Sequence, residues 1–263
     1  MYKEILTRLR QGHRTMKFPH GAPPALPDRL RGLPQISAEK CDASCHACSD
    51  ACPVGAIDPE TKTIDMGKCL FCVDCVQTCP KGAIAFTGDY RLSVRKRESL
   101  FVQKDQKEIE LAQELERKMK RILGRSLKLR VVSAGGCGAC EADVNVLNTI
   151  GWDLGRFGIS YVASPRHADG IIVTGPVSKN MELALKKTWD AVPDPKIMIA
   201  IGACAISGGP YAGHEAVLGG VDAMIPVDLY IPGCPPHPLT ILDGLLRLLG
   251  KIEEKRMKGN GIA

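Results

Sequence analysis

Residues 135–141 read Gly-Gly-Cys-Gly-Ala-Cys-Glu, and this stretch decides the fold prediction. A strand-like run at 127–132 leads into it, and a helix-like run at 141–150 leaves it. Its Cys137 and Cys140 form a Cys-x-x-Cys pair, which suits a metal site or a redox disulfide. The other cysteines of the chain decide between these chemistries.

Downstream of this turn, strand-like and helix-like runs alternate. The predicted strands cover 159–162, 171–174, 196–201 and 227–231, and the predicted helices cover 178–189 and 238–249. Such alternation predicts a parallel sheet with helices on both faces, whose sites form beyond the carboxyl ends of the strands. Each of four cysteines follows a predicted strand: Cys137, Cys140, Cys204 and Cys234. We therefore expect all four at one edge of the sheet.

Cysteine is the outlier in an ordinary composition: the 263 residues include 12 cysteines, with 44% hydrophobic and 24% charged residues. No apolar run is long enough to span a bilayer, and charges interrupt the first residues where a signal peptide would be apolar. We expect neither a transmembrane segment nor export. In a reducing compartment, the cysteines are then expected to bind metal and not to form disulfides. The net charge is +6, but the basic residues are interleaved with acidic ones along most of the chain. Nucleic-acid binding is therefore not expected.

An internal repeat marks a second domain over residues 35–90. Each copy reads Cys-x2-Cys-x3-Cys-Pro and then Gly-Ala-Ile, the first copy starting at Cys45 and the second at Cys72. With Cys41 and Cys69 ahead of them, the eight cysteines follow the bacterial two-cluster ferredoxin pattern, apart from one extra residue after Cys41. Because each copy is short, bound metal would supply much of the folding free energy.

In that pattern, the cysteine before proline ligates the other cluster. The rule assigns a first set to one 4Fe-4S cluster: Cys41, Cys45, Cys48 and Cys79. It assigns a second set to another: Cys69, Cys72, Cys75 and Cys52. Two structural zinc sites are disfavoured, because zinc usually takes two pairs of ligands separated by a longer loop.

The four downstream cysteines form a third set: Cys137, Cys140, Cys204 and Cys234. A dinucleotide site is disfavoured, because residues 136–141 lack the third glycine of that fingerprint. A redox disulfide would use Cys137 and Cys140 and leave Cys204 and Cys234 unexplained. A third 4Fe-4S cluster explains all four.

Four phrases, at residues 135–141, 164–177, 201–204 and 231–238, resemble the small subunit shared by respiratory complex I and membrane-bound NiFe hydrogenases. The resemblance covers about residues 125–250. It implies that the third set holds the last cluster before a partner's active site. Complex I members typically have two adjacent cysteines at the first position. The two-residue spacer here is similar to that of energy-converting hydrogenases and formate hydrogenlyase.

The N-terminal half resembles the two-cluster ferredoxin subunit of the same complexes. The resemblance implies an iron–sulfur electron-transfer subunit of a membrane-associated hydrogenase or formate-hydrogenlyase-like complex, with three 4Fe-4S clusters. It implies a large catalytic subunit, membrane subunits and a ferredoxin-type donor or acceptor as partners, and a peripheral position on the cytoplasmic face of the membrane. The alternatives are the corresponding subunit of a complex I-like quinone oxidoreductase and a free-standing ferredoxin-type carrier.

The expected fold is an α+β ferredoxin-like domain followed by an α/β flavodoxin-like parallel-sheet domain. The expected segments are a basic, proline-rich extended arm (1–34), the ferredoxin domain (35–90), a charged connecting helix (91–126), the sheet domain (127–250) and a C-terminal tail (251–263). The arm is expected to begin with a short amphipathic helix. The rest of it is either a disordered tail or a segment lying along a partner subunit.

Two polar residues are candidate neighbours of the third cluster. Glu141 could relay protons or stabilise a helix N-terminus. Arg166 could hydrogen-bond the cluster or the large subunit, or be a surface arginine. No Ser-His-Asp or paired-carboxylate arrangement stands out, so no catalytic residue is expected in this chain.

Overall fold

The computed structural model describes residues 2–12, 14–42, 44–115 and 126–252. Its helices are α1 (Tyr2–Gln11), α2 (Ala47–Asp50), α3 (Asp74–Thr78), α4 (Ala139–Val146), α5 (Lys179–Asp190), α6 (Ala203–Ser207) and α7 (Pro238–Leu248). Its strands are β1 (Pro34–Ile36), β2 (Ile64–Asp65), β3 (Ile84–Phe86), β4 (Phe101–Val102), β5 (Leu127–Ser133), β6 (Ile159–Tyr161), β7 (Gly170–Thr174), β8 (Ile197–Ile201) and β9 (Leu229–Ile231). Within these ranges, no helix is both long and apolar enough to cross a bilayer.

The C-terminal half forms a five-stranded parallel sheet. Its strand order is β6-β5-β7-β8-β9, and every pairing is parallel. Counted from β5, this is the 2-1-3-4-5 order of the flavodoxin-like doubly wound fold. The central strands β7 and β8 are buried along their whole length, as expected for a sheet with both faces covered. The predicted α/β domain is confirmed.

Helix α7 closes this domain and is buried at every residue. It begins where His237 Nδ1 accepts a hydrogen bond from the Leu239 N–H (3.1 Å), and Pro238 fits its first turn. Its leucines pack into the core beneath the sheet, and each buried leucine contributes about 1.5–3 kcal/mol. The buried Asp243 is paired with Arg247 at 2.8 Å, so the helix carries no uncompensated charge into the core.

The N-terminal half is built from short elements. Strands β1 and β3 form one antiparallel pair, and β2 and β4 form another. Helices α2 and α3 each lie within one copy of the cysteine repeat. Because β1 precedes the first copy and β3 follows the second, their pairing brings the two ends of the repeat together. The ferredoxin-like fold class of this unit stays a prediction.

The two halves share one apolar core. Val94 and Tyr230 also exchange backbone hydrogen bonds of 3.0 and 2.8 Å, which attach the N-terminal unit beside β9. Phe71 of the N-terminal unit lines one cavity with residues 232–238, which follow β9 at the carboxyl edge of the parallel sheet.

The predicted connecting helix over residues 91–126 is wrong in its described part. Residues 91–115 contain a 3-10 turn (Arg97–Leu100), strand β4 and extended chain. Residues 116–125 lie outside the described residues.

Tertiary contacts explain this difference. The N–H of Ala112 donates to the Ser93 carbonyl (2.7 Å), and that of Leu115 donates to the Leu248 carbonyl (2.9 Å). Both side chains are buried. Backbone groups that pair with distant segments are not available to a helix, so burial outweighs local propensity here.

The predicted arm begins with the expected helix, α1, and then packs against its own chain. The Arg156 guanidinium donates to the carbonyls of Met16 (2.5 Å) and Phe18 (2.8 Å). The Phe18 ring is buried and meets Tyr90 edge-on, with 6.2 Å between ring centroids. Neither interpretation from the sequence, a disordered tail or a segment lying along a partner, predicted this contact.

Candidate metal centres

The first set of thiols surrounds one cavity. Cys41, Cys45, Cys48 and Cys79 line a volume of about 270 Å³. Cys79 belongs to the second copy of the repeat, yet it joins Cys45 and Cys48 of the first copy and Cys41, which precedes that copy. The crossing arises because α2 and α3 pack together and the end of each copy reaches the neighbouring one. This is the arrangement that the ferredoxin rule expects.

The second set lines a smaller cavity of about 20 Å³, formed by Cys52, Cys69, Cys72 and Cys75. Here Cys52 is the member that crosses from the first copy. Apolar residues complete the walls, among them Ile57, Ile64 and Phe86. Such walls exclude water and lower the local dielectric, which influences the potential of a bound cluster.

Equivalent backbone hydrogen bonds reach the two crossing thiols. The Ala56 N–H donates to Cys52 Sγ at 3.2 Å, and the Ala83 N–H donates to Cys79 Sγ at 3.2 Å. These residues occupy the same positions in the two copies. N–H donors aimed at cysteine sulfur stabilise thiolates and tune the potential of an iron–sulfur cluster.

Burial opposes ionisation of two thiols of the second set. It raises the pKa of Cys69 to about 12 and that of Cys75 to about 11, and neighbouring thiols add to both shifts. Metal binding deprotonates a coordinating thiol. A bound cationic centre would therefore offset the free-energy cost of ionising these buried thiols.

The third set meets at the carboxyl edge of the parallel sheet, where the alternation predicts it. Cys137 and Cys140 follow β5, Cys204 lies in α6 after β8, and Cys234 follows β9. Burial raises the pKa of Cys140 to about 12, and the charge of Cys204 is the next contribution in that direction. Cys137 and Cys234 are exposed. The set therefore has an inner half and a solvent-facing half.

Glycine allows the loops of this edge to approach the thiols. Gly202 has a φ of +89°, and a Cβ added there would lie 2.6 Å from Cys140 Sγ. At Gly209, with φ of +54°, an added Cβ would lie 2.8 Å from Cys204 Sγ. Both positions thus require glycine for conformation and for space.

Glu141 ties the first turn of α4 to the strands. Its Oε1 accepts a hydrogen bond from the Thr174 hydroxyl at 2.7 Å. Burial opposes ionisation of the carboxyl, but hydrogen bonds from Ser133 and Thr174 keep the pKa of Glu141 below its ordinary value. The side chain anchors the residue next to Cys140, a role that neither interpretation from the sequence included.

Arg166 lies in the 3-10 turn Pro165–His167. It is exposed, and its side chain makes no hydrogen bond or ion pair with the described residues. The exposed position agrees with a surface arginine, and a role of Arg166 toward the cluster or the large subunit stays a prediction.

Two features escaped the sequence analysis. The thiol of Cys72 lies close enough to Cys234 to raise the pKa of that thiol, after the larger effects of desolvation and Cys137. Lys62 is fully buried, and its ammonium donates to the Cys45 carbonyl. No motif signals either feature, because each depends on how distant segments pack.

The donor chemistry fits iron–sulfur clusters. Each set offers four thiols, and thiolate is the ligand of such clusters and of soft metal ions. Among the described side chains, no group of three cysteines, histidines or acids is arranged to hold one metal ion. A 4Fe-4S cubane binds its four thiolates at four separate irons.

A parallel sheet with four cysteines at its carboxyl edge is typical of iron–sulfur redox subunits. Comparison with known proteins supports this class. The family model described as the NADH ubiquinone oxidoreductase 20 kDa subunit matches residues 137–248. An uncharacterized protein of Methanocaldococcus jannaschii is 43% identical over 138 residues, which are 51% of this chain and 92% of that protein. The chain belongs to the family of the 20 kDa subunit of NADH ubiquinone oxidoreductase. The family resemblance of the four phrases is confirmed.

Formate hydrogenlyase subunit 7 of Escherichia coli (strain K12) is 44% identical over 131 residues, 50% of this chain and 51% of that protein. The chain thus spans about half the length of this relative. The solved membrane-bound sulfane sulfur reductase, an archaeal respiratory membrane complex, aligns at 34% identity over 55% of this chain and 80% of that chain, with a TM-score of 0.45. An NAD+-reducing NiFe-hydrogenase aligns at 22% identity over 49% and 94%, with a TM-score of 0.39.

Proposed function

We propose that this chain is the iron–sulfur electron-transfer subunit of a membrane-associated hydrogenase or formate-hydrogenlyase-like complex. The family membership and the 44% identity to formate hydrogenlyase subunit 7 support this assignment. The substrate chemistry would reside in a large partner subunit. Partner subunits would also hold the chain at the cytoplasmic face of the membrane.

We assign residues 35–90 as a two-cluster ferredoxin-like domain. The internal repeat supports this, and so do the two cavities. Each is lined by two cysteines of one copy, the cysteine that precedes that copy, and one cysteine of the other copy. The matched N–H donors to Cys52 and Cys79 also support it. With the third set, the chain would hold three 4Fe-4S clusters, and each bound cluster supplies a site for one electron.

The observation that carries the proposal is the continuity of the three sets. The charge of Cys48, in the first set, helps to raise the pKa of Cys75 in the second, although burial and Cys72 have larger effects. Between the second and third sets, Phe71, next to Cys72, lines the same cavity as Cys234, and the charge of Cys72 raises the pKa of Cys234 after the larger effects of desolvation and Cys137. The second set is therefore an electrostatic neighbour of both others, and the three sets in the order first, second, third would form one row. The row ends at the exposed Cys137 and Cys234, where a large subunit would dock.

Metal content and one cysteine variant test this function. Anaerobically purified protein should contain about twelve iron and about twelve sulfide per chain, four for each cluster. Cys140→Ser should lower the iron content to about eight and leave the two ferredoxin-type signals intact. Cys52→Ser is the matched control, since it should remove a cluster of the N-terminal unit and leave the third. Abundant zinc with little iron, or loss of all three clusters in Cys140→Ser, would contradict the proposal.

A complex I-like quinone oxidoreductase is the second candidate, because the matching family model carries that description. The two functions differ in the large subunit. A hydrogenase partner would retain the cysteine pairs that bind nickel and iron, and hydrogen would reduce the clusters of the purified complex. A quinone-reducing complex would lack both properties. A free-standing carrier would purify alone, with no large subunit bound.

A further inference from the structure

Lys62 is a buried cation beside the first set of thiols. Its side chain is among the largest fully buried ones, with 1% of its surface exposed. Lysine is almost never buried to this extent without a compensating partner. Lys62 forms no salt bridge with a described carboxylate. Asp58, the acid of the same turn, is exposed.

The backbone aims this side chain inward. Lys62 has a φ of +56°, a conformation that is uncommon for residues other than glycine. Its N–H donates to the Asp58 carbonyl at 3.0 Å, and Asp58 Oδ1 accepts from the N–H groups of Glu60 and Thr61 (2.9 and 2.7 Å). These hydrogen bonds within residues 58–62 stabilise the turn conformation in which the Lys62 side chain is buried.

The ammonium points at the loop that carries the first set. Its Nζ donates to the Cys45 carbonyl at 2.5 Å. Cys48 lies three residues further along this loop and lines the same cavity as Cys45. The two cysteines belong to one set, so the Lys62 ammonium lies beside the loop whose thiols surround the cavity, and the exposed Asp58 carboxylate is a second anionic group that its charge reaches.

Among the described residues, the second set has no equivalent buried cation that lacks a buried acid as its partner. The buried acid near it, Asp65, accepts from Arg97 at 2.6 Å and from the Gly67 N–H at 2.9 Å. The carbonyl of Asp65 also accepts from the Cys69 N–H at 3.0 Å. The buried charges beside the second set therefore form a neutral pair, whereas the buried Lys62 beside the first set interacts with Asp58, a carboxylate that is exposed.

We propose that Lys62 is the counter-charge of the iron–sulfur cluster held by Cys41, Cys45, Cys48 and Cys79, and that it raises the reduction potential of that cluster. A cation beside a group that gains an electron stabilises the reduced, more negative form. In a buried site this effect is little screened by salt. The inference rests on the proposed function, since it requires that the first set hold a cluster.

The test is a redox titration of the anaerobically purified full chain, followed by EPR. In Lys62→Met, which keeps the length of the side chain but removes its charge, one of the three potentials should fall. The expected change is on the order of tenfold in the reduction equilibrium constant, or about 59 mV for a one-electron couple. Lys62→Gln retains a donor for the Cys45 carbonyl and should shift the same potential in the same direction.

Lys81→Met is the matched control. Lys81 lines the same cavity, but it is exposed and paired with Asp42 at 3.4 Å. Solvent screening should keep its effect below about threefold.

Three results would overturn the inference: unchanged potentials in fully loaded Lys62 variants, equal shifts of all three potentials, or loss of about four iron from both variants. The last would assign Lys62 a structural role only. Wild-type protein without about twelve iron would instead contradict the proposed function.

Discussion

The thiol of Cys72, in the N-terminal repeat, lies close enough to Cys234, beyond the last strand of the parallel sheet, for its charge to oppose ionisation of that thiol. The shared core and the Val94–Tyr230 backbone pairing place the two halves in this relation. If each set holds a cluster, an electron could cross between the halves without a separate diffusing carrier. The covalent linkage of the two halves would then keep the electron path within one chain.

Gly202→Ala should damage the third metal centre. The new Cβ would lie 2.6 Å from Cys140 Sγ, at a φ of +89° that disfavours alanine. The thiol must move, so we expect the iron content to fall by about four per chain, with the two ferredoxin-type EPR signals retained. Iron analysis and EPR measure both quantities.

Gly213→Ala is the control for that variant. Gly213 has a comparable φ of +81°, but an added Cβ meets nothing within 4 Å. It carries the same kind of backbone strain without the contact to a thiol. Equal iron loss in both variants would contradict the steric explanation.

Thr174→Val should destabilise the edge that carries Cys140. Thr174 is buried, and its hydroxyl donates to Glu141 at 2.7 Å. Removing this donor leaves a partly buried carboxylate with one partner fewer, at a cost of about 1–3 kcal/mol. The thermal midpoint of the loaded protein should fall by several degrees at a fixed scan rate.

Thr188→Val provides the comparison. The Thr188 hydroxyl donates to the Ala184 carbonyl at the same length, 2.7 Å, on an exposed helix face. Its loss should change stability by at most about 0.5 kcal/mol. Equal effects of the two substitutions would exclude a special role for the Glu141 contact.

Much of the C-terminal half could be predicted from sequence. The strands and helices were found because the aliphatic runs are long and buried on both sheet faces. The convergence of Cys137, Cys140, Cys204 and Cys234 followed from a general property of parallel sheets. The predicted ligand sets of the N-terminal repeat stay predictions, although each set lines one cavity.

The errors arise where tertiary contacts outweigh local pattern. Leu111 and Leu115 have helical spacing, but Leu115 pairs its backbone with Leu248 in an extended segment. The docking of Phe18 on Tyr90 and the burial of Lys62 leave no periodic signal in the sequence. Such features become visible only when distant segments are placed together.

Removal of iron should unfold the N-terminal unit before the parallel sheet. Its strands are two or three residues long, so metal binding would supply much of its folding free energy. After chelation, hydrogen exchange should accelerate in β1–β4 and remain slow in β7 and β8. Simultaneous loss of protection in both regions would contradict the claim that the metal stabilises the N-terminal unit more than the parallel sheet.

Phe18→Ala should release the arm from the sheet domain. The buried ring contacts Tyr90, and its loss weakens the segment held by Arg156. Limited trypsin digestion should then cut faster at Arg14 and Lys17. Tyr2→Ala, at a residue 76% exposed, should leave the cleavage rate unchanged. An equal rate in both variants would show that Phe18 does not anchor the arm.

The central claim is that three cysteine sets hold three clusters in one continuous row. Pulsed EPR of the fully reduced protein tests it most directly, with wild-type iron content verified at about twelve per chain. We predict a magnetic interaction between the cluster of the Cys72 set and that of the Cys234 set, and its loss in Cys140→Ser. A signal from the Cys72 set that is identical in wild-type and Cys140→Ser protein would contradict the account.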